Sequence, residues 1–277
     1  MPLTCRILIV VGLGLATATI GRAQNEDKTF EEVVALQPGS LLTLETGQGS
    51  VRLISWDEPN VDIRARIEAP PGMDADDARR SVDATSIEVR GSRRSMRIRS
   101  NYRQTVSQED DDDSWRPPLV HYEIRAPRQL DLDLTIDQND TTLEGFEGRL
   151  LLDFDRSRLQ GRNLDGTITL AFDRGSIDAS DLSGSIVLHL DRTTAALRDI
   201  RFDADSEIRI DRGELDLVLV GTQSLTIDAQ MTRRTEFSSD LAVPLQTSDR
   251  GFHATMNGGG VALRIDADRS VLRLRAN

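Results

Sequence analysis

The sequence predicts an all-β protein, and within that class a parallel β-solenoid built from coils of about 18 residues. Three observations lead there. Asp137, Asp155, Asp173 and Asp191 are spaced 18 residues apart, and Asp211 follows after 20. Between them apolar and polar residues alternate, as in Ile168-Thr169-Leu170-Ala171-Phe172, which is the pattern of a strand with one buried face. Glycines recur in the same register at Gly148, Gly166 and Gly184.

Taken in order, residues 1–23 read as a secretory signal. Arg6 is a short basic region, Ile7 to Ile20 form an apolar run, and Gly21-Arg22-Ala23 sets small residues where a signal peptidase reads. The run is short for a membrane span, and no later stretch approaches one. Cleavage after Ala23 removes Arg6, Arg22 and Cys5, the only cysteine, so the net charge falls from -12 to -14 and no thiol remains. A cysteine-free mature chain suits an oxidising compartment. Residues 24–130 are expected to form a β-rich N-terminal region. Alternation at Leu42, Leu44, Val51, Leu53, Val61, Ile63 and Ile67 is broken by turns at residues 38–40, 47–49 and 57–60. One short helix, capped by Asp74, is expected from there to Val82, with strands at 86–90 and 95–99 after it. Residues 103–118 carry an acidic run, Glu109 to Asp113, and end at Pro117-Pro118. A solvated loop is expected there in preference to a calcium site, because consecutive Asp side chains cannot all face one ion.

The regular solenoid is expected over residues 131–277, continuous with the preceding region in one domain. Four of the periodic aspartates open the same turn: Asp155-Arg156-Ser157, Asp173-Arg174-Gly175, Asp191-Arg192-Thr193 and Asp211-Arg212-Gly213. Apolar columns keep step with them: Leu150, Ile168 and Ile186; Leu152, Leu170 and Leu188; Phe154, Phe172 and Leu190; and, nine after each Asp, Phe146, Leu164, Leu182, Ile200 and Val220. Looser copies follow at Asp228, Asp249 and Asp268. A single coil buries too little to fold alone and needs its neighbours.

The stretch from Pro38-Gly39-Ser40-Leu41 to Trp56 and Val61, the strand Tyr122-Glu123-Ile124-Arg125-Ala126-Pro127, and Asn257-Gly258-Gly259-Gly260 before Leu263-Arg264-Ile265 together resemble the bacterial putative-adhesin family of domains of unknown function. These are β-solenoid proteins similar to the head domain of autotransporter adhesins. The resemblance covers most of the mature chain. It implies an envelope or surface location and an adhesive role, and it implies no catalytic residues and no agreed ligand.

The chemistry read from the residues agrees. An acidic chain repels nucleic acid and anionic lipid. His121, His189 and His253 stand apart in the sequence, so surface histidines are expected before metal ligands. No nucleophile elbow, phosphate loop or dinucleotide fingerprint is present. No enzyme activity, cofactor or metal is therefore expected. The one candidate site is a polar ladder of Asp155, Arg156, Asp173, Arg174, Asp191, Arg192, Asp211 and Arg212 along one edge. It is either a structural device, with Asp bonding to its own turn backbone and Arg offsetting carboxylate repulsion, or a strip that binds glycan. The expected protein is a monomeric exported adhesin or scaffold whose partner is an unknown envelope protein or glycan. A periplasmic accessory or stress-sensing protein is the alternative, and a polysaccharide-acting enzyme comes after it.

Overall fold

The computed structural model describes residues 27–102 and 117–277. The expected signal segment and nearly all of the acidic loop lie outside the described residues. The chain runs β1 (Lys28–Ala35), β2 (Ser40–Thr46), β3 (Gly49–Trp56), β4 (Asn60–Glu68), α1 (Ala75–Ala84), β5 (Thr85–Ser92), β6 (Ser95–Tyr102), β7 (Leu119–Pro127), β8 (Leu130–Asp137) and β9 (Asn139–Glu144). The long β10 (Glu147–Phe202) follows, then β11 (Ser206–Asp211), β12 (Glu214–Leu219), β13 (Leu225–Met231), β14 (Glu236–Ser239), β15 (Leu245–Ser248), β16 (Gly251–Met256), β17 (Val261–Asp268) and β18 (Val271–Ala276). All 18 strands belong to one sheet. The helix starts where expected. Asp74 caps it by accepting from the Asp76 N–H at 2.9 Å, and Ala78, Ser81 and Val82 turn inward.

The pairings resolve into two ladders. The first follows the spatial order β5, β6, β2, β8, β10, β11, β17, β13, β16, β15. The second follows β1, β4, β7, β3, β9, β10, β12, β18, β14. Consecutive strands fall one in each ladder and form a layer in β6–β7, β2–β3, β8–β9, β11–β12, β17–β18 and β13–β14. In the middle the pairing is parallel and the offset is 18 residues: Leu150 lies beside Leu132, Asp155 beside Asp137, and Arg158 beside Asp140. Inside β10 the same step stacks Phe154 on Phe172, with ring centroids 5.6 Å apart. From β10 to β11 the step becomes 20, as in Leu190 beside Ile210.

The expected columns are buried. Leu150, Ile168 and Ile186 are at most 2% exposed, and so are Phe154 and Phe172. One member is corrected: a register shift between Leu197 and Ile200 sets Leu219, not Val220, beside Ile200. Two of the looser copies also fail to join the Asp column. Asp228 pairs with Arg264, and Asp249 lies in the turn of the antiparallel β15–β16 pair. Asp268 does join, directly beside Asp211.

Two corner positions recur in left-handed conformation. One is the residue after each column Asp: Gln138, Arg156, Arg174, Arg192, Arg212 and Arg269, with φ between 47° and 60°. The other is Gly145, Asn163, Asp181 and Asp199, again 18 apart, filled by residue types that tolerate this region. The Gly column has a different cause. A Cβ on Gly166 would lie 2.2 Å from the Gly148 carbonyl oxygen, and one on Gly184 would lie 1.9 Å from that of Gly166. The layers therefore touch backbone to backbone there.

Three of the four ladder ends pair antiparallel, β1 on β4, β5 on β6, and β16 between β13 and β15, whereas β14 ends the second ladder parallel to β18. On β1 the row on the core side is Phe30, Glu32 and Val34, opposite the buried Ala65, Ile63 and Val61; Phe30 and Val34 are half-buried and Glu32 reaches solvent. A charge at an inward position of an edge strand discourages pairing with another sheet.

Two outcomes follow. Gly166→Ala should lower unfolding free energy by more than about 1 kcal/mol in urea titration, since the carbonyl it meets is backbone and φ is positive. Glu32→Val should convert a concentration-independent size-exclusion profile into one that grows with concentration, whereas an unchanged profile would show that this charge does not guard the edge.

Candidate functional site

The ladder residues sit on the rim where strands of the first ladder turn into the second. The parallel register puts Asp137, Asp155, Asp191, Asp211 and Asp268 in line, and the 18-residue step carries Asp173 into the same line. Each following Arg, held in its left-handed corner, bridges two of them. Arg156 reaches Asp137 at 3.1 Å and Asp155 at 3.1 Å. Arg174 reaches Asp155 at 3.0 Å and Asp173 at 2.9 Å. Arg192 reaches Asp173 at 3.2 Å and Asp191 at 2.8 Å. Arg212 reaches Asp191 at 3.0 Å and Asp211 at 3.1 Å, and Arg269 continues to Asp211 and Asp268 at 2.9 Å each.

All eight predicted residues are thus brought into one file of alternating charge, joined by Asp137, Asp268 and Arg269. These side chains are between about a third and a half exposed, where single ion pairs contribute little to stability. The effect of the file is to cancel the repulsion that stacked carboxylates would create. The carboxylates of Asp155, Asp173, Asp191 and Asp211 accept from Arg, whereas the sequence suggested their own turn backbone as the donor. The backbone of the turn is served instead by the third residue: Ser157 Oγ donates to the Asp155 carbonyl at 2.7 Å, and Thr193 Oγ1 to that of Asp191 at 2.8 Å. The hydrogen bond to Asp155, with the nearby carboxylates, raises the pKa of Arg174. Arg269 is raised first by its bond to Asp268.

A shallow groove of about 680 Å³ runs beside the file on the outer face of the first ladder. One wall carries Asp155, Asp173, Asp191, Asp211, Asp268 and Thr232; the other carries Asp153, Ala171, His189, Arg209, Asp266 and Gln230. The ladder arginines do not line it, so the file shows the groove its acids. The second wall was not foreseen. Its signal in the sequence is simple: each member but Gln230 stands two residues before a column Asp, and so on the same outer face. His189 is exposed, as expected. His253 Nδ1 donates to the Asp228 carboxylate at 2.7 Å, and His121 is half-buried against Ser50 and Glu68. Among the described residues no group of three His, Cys or acidic side chains is placed to hold a metal. Nor is any helix there long and apolar enough to cross a membrane.

No family model and no curated protein matches the chain. Several solved structures do. A putative cell adhesion protein from Clostridium sporogenes is 10% identical, with a TM-score of 0.35 over 90% of this chain and 100% of that one. A putative adhesin from Bacteroides fragilis is 8% identical, with a TM-score of 0.37 over 90% of this chain and 97% of that one. A putative lipid binding protein from Parabacteroides distasonis is 10% identical, with a TM-score of 0.33 over 91% and 97%. At these values the likeness decides nothing about ligand or role.

At the end of the file the Thr232 hydroxyl donates to Asp268 at 2.7 Å, and this bond, ahead of Arg269, holds the Asp268 carboxyl below the usual carboxylate range. A depressed folded-state pKa contributes stability that is present above the unfolded pKa and lost as pH falls through the folded one. Asp268→Asn should therefore be less stable than wild type near neutral pH, and the two should converge as acid protonates the wild-type group below about pH 4. Urea unfolding across that range reads the difference.

Proposed function

We propose that this chain is an exported envelope protein of the adhesin or scaffold type, whose groove beside the Asp file works by binding and not by turnover. In this reading the two ladders are the sides of a β-solenoid with coils of about 18 residues, supported by the parallel 18-residue offset of β8 and β9 on β10. The signal-like residues 1–23 and the loss of the only cysteine with them favour export.

The observation that carries the reading is the groove. It crosses six successive passes of the first ladder, three within β10 and then β11, β17 and β13. At about 4.8 Å per strand its length is on the order of 24 Å. A long, open, evenly walled groove suits a linear partner, such as a glycan chain, better than a compact substrate. Its walls offer carboxylates, an imidazole, an amide and guanidinium groups, the planar hydrogen-bonding groups that hydroxyl-rich polymers use. Catalysis on a glycan would want acids gathered at one place, whereas these are spread evenly with the layers.

Fractionation of the native host, with protease added to intact cells, tests the location. Digestion on intact cells is expected of an adhesin. Protection until the outer layer is opened would sink that role and point to a periplasmic protein partner, to be found by crosslinking. In glycan arrays, His189→Ala and Arg209→Ala should weaken binding at least tenfold without changing the melting temperature, and undiminished binding would remove the groove from the account.

A further inference from the structure

On the far side of the molecule, the second ladder assembles a group that the binding role does not need. Ser50 of β3, His121 of β7 and the β4 strand meet on the outer face, because β3 pairs parallel with β7 and β4 pairs antiparallel with it. Ser50 lies directly beside His121, and Arg66 lies on its other side. The Ser50 Oγ is 2.8 Å from His121 Nδ1. His121 Nε2 is closed off from solvent and lies 3.3 Å from Glu68 Oε1, near but not aligned for a hydrogen bond. Arg66 pairs with Glu68 in turn.

This order of contacts fixes the chemistry. In the tautomer that carries the ring proton on Nε2, the nitrogen facing Glu68, Nδ1 is left as the acceptor for the Ser50 hydroxyl. That is a serine with a base, and a base with an orienting acid. The serine and the ring open onto a groove of about 580 Å³. Arg52, two residues along β3 and so on the same face, also lines it, and among the described residues Arg52 pairs with no carboxylate. A second His contact gives the contrast. His253 joins Asp228 at 2.7 Å and Thr255 at 3.4 Å, but there the His side chain is 41% exposed and the Asp 62%, against 26% and 27% for His121 and Glu68.

We propose that Ser50 is an activated nucleophile for acyl transfer from esters carrying an anionic group, with His121 as its base, Glu68 as the positioning residue and Arg52 as the site for negative charge. In the step, the Ser50 Oγ bonds to the acyl carbon while the bond from that carbon to the leaving alcohol breaks. The hydroxyl proton passes to His121 Nδ1 and then to the departing alkoxide. Water reverses the sequence and frees Ser50. Apo contacts of this kind are commonly loose and tighten around substrate. The sequence could not show it, because the three residues lie at positions 50, 68 and 121 in no motif.

The test is labelling of the full chain with a fluorescent alkyl fluorophosphonate, with the modified peptide identified by mass spectrometry. The expected result is a single adduct on Ser50, formed as fluoride leaves. Ser50→Ala should abolish it, His121→Gln should slow it about a hundredfold or more, and His253→Gln should leave it unchanged. If Ser50→Ala fails to fold, Ser50→Cys serves instead: its alkylation by iodoacetamide should fall in the His121→Gln background. A folded wild type that takes no label, takes it elsewhere, or takes it equally after His121→Gln overturns the proposal and leaves the glycan-binding reading untouched.

Discussion

The rest of the structure depends on the parallel register between layers. Once Leu150 lies beside Leu132 and Asp155 beside Asp137, every column is set: the aliphatic rows inside, the Asp file on the rim and the backbone contact at the Gly column. A slip of one residue would turn each buried row out to solvent. The corners hold the register in place. Each layer needs a left-handed residue after the column Asp, and the chain supplies Arg there in five layers where Gly would be less strained. The gain is that the guanidinium then stands between two carboxylates. Corner strain and charge cancellation are thus one arrangement.

Faces were legible in the sequence, and neighbours were not. Alternation tells which side of a strand is buried, and the 18-residue period tells which residues share a row, so the buried columns, the Asp line, the Asp74 cap and the turns at residues 38–40, 47–49 and 57–60 could be read directly. Period says nothing about which layer lies next to which. Nothing in residues 40–56 announces that β2 and β3 lie between β6–β7 and β8–β9, or that β17 and β18 lie between β11–β12 and β13–β14. Asp228 and Asp249 misled for the same reason: the tripeptide or spacing is repeated, but the local pairing is antiparallel or out of step.

The polar groups divide in the same way. The eight ladder residues were visible because they repeat. The opposite groove wall was half visible, since Asp153, Ala171, His189, Arg209 and Asp266 share a position and not a residue type. The Ser50, Glu68 and His121 group was invisible, because its members come together only through one parallel and one antiparallel pairing. The inner hydroxyl chain of Thr46, Ser100 and Tyr122, with oxygens 2.9 and 2.8 Å apart, is likewise a product of tertiary pairing, and burial there pushes the Tyr122 phenol up.

The interleaved layers bear on how the chain reaches this state. A stack in strict chain order could grow one layer at a time as the polypeptide emerges from the ribosome. Here β2 and β3 must wait for strands that begin more than 30 residues later, and the gap between β11–β12 and β13–β14 stays open until β17 and β18 arrive. The last-made strands are the keystone of the C-terminal half. A chain stalled or clipped before residue 261 would carry two unfilled edges, giving quality-control proteases a simple way to tell a finished molecule from a fragment.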